Sequence, residues 1–359
     1  MPKIRVLVVE DSLTVRRRIC DVLRADPALE IAGEAEDGKQ AVELCRDLRP
    51  DVVTLDMLLP VMSGLTATEY IMAHFPTPIL IVSSSTNRGD LFKTYDALAA
   101  GAIDVLEKPQ GNEAEGMWEA KLVSAVKLIS RIRVITHPRA RLRSLAPPPI
   151  VSQPDPAVVR SKRSCRVVAL GASTGGPGAL VQVLRSIPTG SPVALLVVLH
   201  IDKLFGSAFA EWLDAQTRHR VAYVRGGEDI TALTGQVTMA PPGLHLVVRA
   251  GKAQLTTDPE RHFCRPSIDV LFESLANDCG ADTVACLLTG MGRDGAAGLL
   301  AIRRAGGYTI AQDEATSVVY GMPREAALLG AAERVLPLEA IGSTIAAVVG
   351  APGRGRTAR

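Results

Sequence analysis

Along the N-terminal third of the chain, apolar positions alternate between two periods. Short β-branched runs (IRVLVVE, IAGEAED, DVVTLDM, PILIVSS, IDVLEK) are separated by stretches of helical spacing (LTVRRRICDVLRA, GKQAVELCRDLR, ATEYIMAHF, DLFKTYDALAAG, WEAKLVSAVKLISRI). Five strand–helix pairs in this order predict a parallel sheet with helices on both faces, whose sites lie at the carboxyl ends of the strands.

The texture changes between about Thr136 and Cys165, where HPRARLRSLAPPPIVSQPDPAVVRSKRSC has no apolar period and is rich in Pro, Arg and Ser. This reads as an extended linker. From Arg166 a second series begins with RVVALGAS, GALVQVLRSIP, PVALLVVLH, LFGSAFAEWLDAQ and VAYVRGGE. In GQVTMAPPGLHLVVRAGKAQLTT the short runs are split by Pro-Gly and Ala-Gly turns, which predicts hairpins. Helix and strand then alternate again through IDVLFESLANDCG, TVACLLTG, DGAAGLLAIRRAG and YTIAQD. The expected divisions are a first domain over 1–125, a helix end and linker over 126–164, a second domain over 165–350 and a tail over 351–359.

Composition changes this picture little. A chain of 359 residues, 47% hydrophobic and 22% charged, suits two globular domains. A net charge of +2 gives no reason to expect nucleic acid as a partner. The longest apolar run, Val193 to Leu199, is strand-sized, so membrane insertion is not expected. Six cysteines without a C-x-x-C pair, behind a polar start, read as buried reduced thiols of a cytoplasmic protein.

Glu10 and Asp11 close the first strand, Asp56 the third and Lys108 the fifth. Their side chains converge at one sheet edge, where three mutually repelling acids suit an oxygen-ligated Mg²⁺. An acid flanked by that cation is a reasonable phosphoryl acceptor, with Lys108 placed to neutralise a phosphoryl oxygen. VVEDS, TLDMLLP, IVSSS and LEKP together resemble the response-regulator receiver family, of flavodoxin-like (βα)5 fold. That resemblance implies Asp56 as phosphoacceptor, Glu10, Asp11, Asp56 and the Leu58 carbonyl around Mg²⁺, and Ser83 and Lys108 as switch residues. Val105 stands where many receivers carry an aromatic.

In the second series a strand runs into Gly171-Ala172-Ser173-Thr174-Gly175-Gly176-Pro177 and then a helix. A serine at such a turn is exposed beside helix N–H groups. A dinucleotide fingerprint would need G-x-G-x-x-G and an acid after the next strand, which here ends in His200. His200 at the same edge is the candidate base, and Asp294, in the turn of LLTGMGRDG, the candidate orienting acid. Asp269, Asp278 and Asp282 read as solvated. The order Ser…His…Asp differs from the Ser…Asp…His of α/β-hydrolases.

GASTGGP, the LH strand end, APPGLH, TGMGRDGAAG and AQDEATSVVYGMPREA together resemble the chemotaxis protein-glutamate methylesterase (CheB) family. The resemblance implies a doubly wound parallel-sheet methylesterase domain with a β-hairpin insertion. It also implies a Ser173–His200–Asp294 triad, with the Thr174 and Met291 backbone N–H groups as oxyanion donors. The implied function is phosphorylation-activated hydrolysis of glutamate γ-methyl esters, and deamidation of glutamines, on methyl-accepting chemotaxis receptors. A chemotaxis histidine kinase would be the phosphodonor, and the ester step would need no cofactor. The competing expectation is a non-enzymatic response regulator with a binding module as its output.

Overall fold

The computed structural model describes residues 2–84, 87–109, 116–132, 134 and 166–350, so most of the expected linker and all of the expected tail lie outside the described residues. The chain divides into two compact units, Met1–Pro149 and Ile150–Arg359.

The first unit alternates β1 (Ile4–Val9), α1 (Leu13–Arg24), β2 (Leu29–Ala35), α2 (Gly38–Leu48), β3 (Val52–Leu55) and α3 (Gly64–His74). It continues with β4 (Ile79–Ser83), α4 (Arg88–Ala100), β5 (Asp104–Glu107) and α5 (Met117–Ile129). The five strands form one parallel sheet in the order β2-β1-β3-β4-β5. The order reverses between β1 and β3, and a crevice forms at their carboxyl ends. Leu7, Val9, Val53, Leu55 and Ile81 pack with Ala41, Cys45 and Ile71 as a core. Helix starts are set locally: the Asp37 carboxylate accepts from the Lys39 and Gln40 N–H groups at 2.8 and 2.9 Å at the head of α2.

The second unit begins with β6 (Val167–Ala172), α6 (Gly176–Ser186), β7 (Ala194–Leu199), α7 (Lys203–Gly206), α8 (Phe209–Gln216) and β8 (Val221–Tyr223). Next come β9 (Glu228–Asp229), β10 (Val237–Met239), β11 (His245–Arg249), β12 (Lys252–Thr256), α9 (Ile268–Asp278) and β13 (Thr283–Leu287). It closes with α10 (Ala296–Arg304), β14 (Tyr308–Gln312), α11 (Met322–Leu328), β15 (Arg334–Leu336) and α12 (Leu338–Val349). Seven strands form a parallel sheet in the order β15-β14-β13-β6-β7-β10-β8. β6, β7 and β13 are buried along their whole length, as strands covered on both faces must be. The chain lays β7, β8 and β10 on one side of β6, with β10 entering between β7 and β8, then crosses to build β13, β14 and β15 outward on the other.

The hairpin expectation holds for only part of the middle section. β11 and β12 pair antiparallel and take β9 as a third strand, but Val237–Met239 joins the main sheet in parallel between β7 and β8. The flanking turn residues mark where a strand ends. They do not say which distant strand it pairs with.

Gly171 has a different role from the one a tight turn would give it. It lies inside β6, and a Cβ there would come within 2.4 Å of Ile268 Cγ2. Its bareness lets the first residue of α9 press against the strand. Gly175, in the turn, does need the left-handed region, with φ at +78°. Gly171→Ala is expected to cost about 1–3 kcal/mol by overpacking, read as a lower denaturation midpoint of the full chain. Unchanged stability would contradict this close approach.

Candidate active site

β6 and β7 pair in register through Ala172 and Leu199, so the next residue of each strand, Ser173 and His200, emerges side by side at the carboxyl edge. The His200 N–H donates to the Ala172 carbonyl at 3.0 Å, which locks that register at the strand end. The serine turn is clamped from β13. Ser173 N–H donates to the Thr289 carbonyl at 3.0 Å, and the Thr289 hydroxyl donates to the Thr174 carbonyl at 3.0 Å. Gly290 lies so close that a Cβ on it would meet Ser173 Cβ at 2.7 Å. Among the described residues, Ser173 Oγ has no hydrogen-bond partner, and neither do the backbone N–H groups of Thr174 and Met291.

Asp294 is 2% exposed and sits in the turn after β13. Its Oδ2 accepts from His200 Nε2 at 2.8 Å and from the Ile268 N–H at 2.7 Å. Its Oδ1 accepts from Ser267 Oγ at 2.7 Å and from the Asp269 N–H at 3.2 Å. The carboxylate is therefore seated on the N-terminus of α9, where helix N–H groups and the macrodipole favour an anion. Burial pushes the Asp294 carboxyl up, but the His200, Ser267 and Ile268 hydrogen bonds outweigh it and hold the group below the ordinary carboxylate range. Burial likewise opposes a charged His200, yet Asp294 and the neighbouring Cys264 prevail and raise the imidazole above an ordinary histidine. An ionised carboxylate only accepts, so Nε2 carries the proton and Nδ1 keeps the lone pair of the neutral ring.

Three parts of this arrangement depart from the sequence reading. Ser267 was not singled out, although a serine between a proline and the apolar run IDVLF is a recognisable helix N-cap signal. Asp269, expected to be solvated, is fully buried. It accepts from the Gly298 N–H at 2.6 Å and faces His262 Nε2 at 3.2 Å, because the first turn of α9 points into the unit rather than at solvent. Burial is the main cause raising its carboxyl. The described cysteines also divide: Cys20, Cys45 and Cys286 are buried, whereas Cys264 and Cys279 are only half-buried, and these five are free, Cys165 lying outside the described residues. Cys264 Sγ lies 3.7 Å from His200 Nδ1. Spacing alone carried no sign of that contact.

In the first unit, the crevice between β1 and β3 gathers the expected acids. Ligating oxygens of Glu10, Asp11 and Asp56 all lie within 4.8 Å of one another, with Glu10 and Asp56 buried and Asp11 exposed. Lys108 Nζ bridges Asp56 Oδ2 and Glu10 Oε2, each at 2.8 Å. Burial pushes Glu10 up to about 6 against the pull of Lys108. Asp56 is raised by burial against the same pull. Burial would lower Lys108, but the two carboxylates raise it overall. Met57 N–H donates to Asp56 Oδ1 at 2.7 Å, in the loop that carries Leu58. Ser83 is 1% exposed, and its hydroxyl has no partner among the described residues. The Lys108 N–H donates to the Ser83 carbonyl at 3.1 Å, which ties the ends of β4 and β5 together. Val105 packs as a half-buried aliphatic against the core.

Fold and site define a response regulator: a receiver-type unit, followed by an α/β output unit with serine, histidine and aspartate at the carboxyl edge of its sheet. Two family models match the chain, one described as response regulator receiver domain over residues 6–115 and one as CheB methylesterase over residues 168–345. The chain belongs to the protein-glutamate methylesterase/protein-glutamine glutaminase family. It is 43% identical to protein-glutamate methylesterase/protein-glutamine glutaminase 2 of Pseudomonas aeruginosa over 346 residues, 95% of this chain and 96% of the relative. The corresponding protein of Nitrosospira multiformis is 41% identical over 359 residues, 98% of each chain. The crystal structure of the Thermotoga maritima CheB methylesterase catalytic domain covers 51% of this chain and 98% of its own, with 33% identity and a TM-score of 0.48. A non-enzymatic binding module is not favoured for this chain.

Ser267→Ala removes both the cap of α9 and one donor to Asp294. It is expected to destabilise the protein by about 1–3 kcal/mol in chemical denaturation. A loss well below that range would show that Ser267 does not hold the Asp294 carboxylate.

Proposed function

We infer that this chain is a phosphorylation-activated serine esterase that hydrolyses glutamate γ-methyl esters on chemotaxis receptors and deamidates receptor glutamines. The observation that carries the reading is the alignment of Ser173, His200 and Asp294 at the ends of three neighbouring strands, β6, β7 and β13.

Ser173 Oγ attacks the side-chain carbonyl carbon of the esterified glutamate and His200 takes its proton. Because Nε2 faces Asp294, Nδ1 is the nitrogen left for Ser173, the reverse of the ring orientation in the chymotrypsin template. The Thr174 and Met291 N–H groups, unpaired among the described residues, receive the oxyanion of the tetrahedral intermediate. His200 returns the proton to the leaving oxygen, and methanol departs. Water, deprotonated at His200, then hydrolyses the acyl-Ser173 and frees the glutamate. With a glutamine side chain the same steps release ammonia.

In the receiver, Asp56 accepts the phosphoryl group from a chemotaxis histidine kinase. Glu10, Asp11, Asp56 and the Leu58 carbonyl suit Mg²⁺, because three acids are drawn together at one crevice and their donors are all oxygen. When bound, that cation offsets the charge of the phosphoryl oxygens. Lys108 is placed to leave Glu10 for a phosphoryl oxygen, and the orphaned Ser83 hydroxyl can donate to another.

Ser173→Ala is expected to reduce methanol release from methylated receptors by about 10³-fold or more; substantial residual release removes Ser173 as nucleophile. Asp56→Asn should keep the basal rate and lose stimulation by a phosphodonor with Mg²⁺, and undiminished stimulation would refute receiver control. The pH profile tests His200. Its proton is held above the ordinary value of 6.5, and only the deprotonated ring accepts from Ser173, so kcat/KM should climb as pH rises beyond neutrality. A plateau already reached below pH 6.5 would contradict the Asp294 pairing.

A further inference from the structure

Cys264 is held against the site by a tight turn. Arg261 and Cys264 exchange two backbone hydrogen bonds, the Arg261 N–H at 3.2 Å and the Cys264 N–H at 2.9 Å. His262 and Phe263 between them both adopt left-handed φ, at 54° and 61°. Arg261 is itself anchored through Nη2 to Glu273 Oε1 at 2.8 Å, and its Nε lies 3.8 Å from Asp269. The thiol can donate to the His262 carbonyl at 3.4 Å, and its other neighbour is His200 Nδ1 at 3.7 Å.

That separation is what a shared cation requires. Tetrahedral Zn²⁺ takes imidazole nitrogen at about 2.0–2.1 Å and thiolate sulfur at about 2.3 Å, which puts the two ligand atoms about 3.6 Å apart. The imidazole is also prepared for the task. A metal-bound histidine commonly donates its other ring N–H to a carboxylate, which fixes the tautomer and raises ligand basicity. Asp294 already stands in that relation to Nε2 at 2.8 Å, itself held by α9. The ligating atoms of His200, Cys264 and Asp294 lie within 4.8 Å of one another. A thiolate–imidazole pair selects soft d¹⁰ cations over Mg²⁺ or Ca²⁺.

We propose that His200 Nδ1 and Cys264 Sγ form an inhibitory site for a thiophilic divalent cation such as Zn²⁺. Two bonds form, Nδ1–metal and Sγ–metal; the Cys264 S–H bond breaks and, from the protonated ring, the Nδ1–H bond breaks too, both protons passing to solvent. Water completes the coordination shell. The cation occupies the lone pair that would deprotonate Ser173, so the inhibitory consequence rests on the reading of His200 as the base.

The test uses the full chain with Co²⁺ as a spectroscopic probe, followed by Zn²⁺ in the esterase assay. Co²⁺ should produce a thiolate charge-transfer band that Zn²⁺ displaces. The band should persist in Asp56→Asn, which lacks one acid of the receiver crevice, and vanish in Cys264→Ser. Zn²⁺ should inhibit methanol release reversibly by chelator. The concentration for half-inhibition should rise about tenfold or more in Cys264→Ser, each protein being read against its own metal-free rate. No band in the unsubstituted protein, or a band surviving in Cys264→Ser, overturns the site. A band that forms and is lost as described while the esterase runs undiminished upholds the metal site and refutes Nδ1 as the base instead.

Discussion

An anion seated on a helix terminus organises the second unit. The Asp294 carboxylate accepts four hydrogen bonds, three from the first turn and cap of α9 and one from His200. The helix donors offset the penalty of burying the charge, and the charge in turn orients the imidazole and raises its proton affinity. That Nδ1 is the ring nitrogen left to meet Cys264 follows from that attachment. Gly171 leaves room for the head of α9, since a Cβ there would come within 2.4 Å of the Ile268 side chain.

The two units solve a related electrostatic problem with opposite means. In each, a parallel sheet delivers acidic residues to its carboxyl edge near the point where strand order reverses. In the second unit, His200 together with the cap and first-turn donors of one helix holds Asp294 ionised. In the first, a single cationic side chain, Lys108, is shared between Glu10 and Asp56, and both acids still sit above their usual range. A site stabilised by one side-chain charge can be rearranged by a phosphoryl group. A site stabilised by a helix terminus is preorganised, as acyl transfer requires.

Much of this was legible in the chain itself. Continuous apolar runs announced the buried strands, and their end residues announced the edge: Glu10, Asp56, Lys108, Ser173 and His200 each follow or close such a run. Asp294 was legible through the glycine-rich turn that follows β13. The partner of β10, the burial of Asp269 and the approach of Cys264 to His200 were not. Each depends on which distant segment packs against which, and a short run of residues has the same pattern whatever covers it.

The sequence by itself determined the two α/β units, the order of their elements and the chemical types at each strand end, because hydrophobic period and turn chemistry are local properties of the chain. Only the tertiary structure decided that α9 aims its N-terminus at Asp294, that His200 presents Nδ1 to its surroundings and that a cysteine waits beside it. Those outcomes are set by close packing across the sheet, where a single methyl at Gly171 would collide with Ile268, and close packing joins residues the sequence keeps far apart.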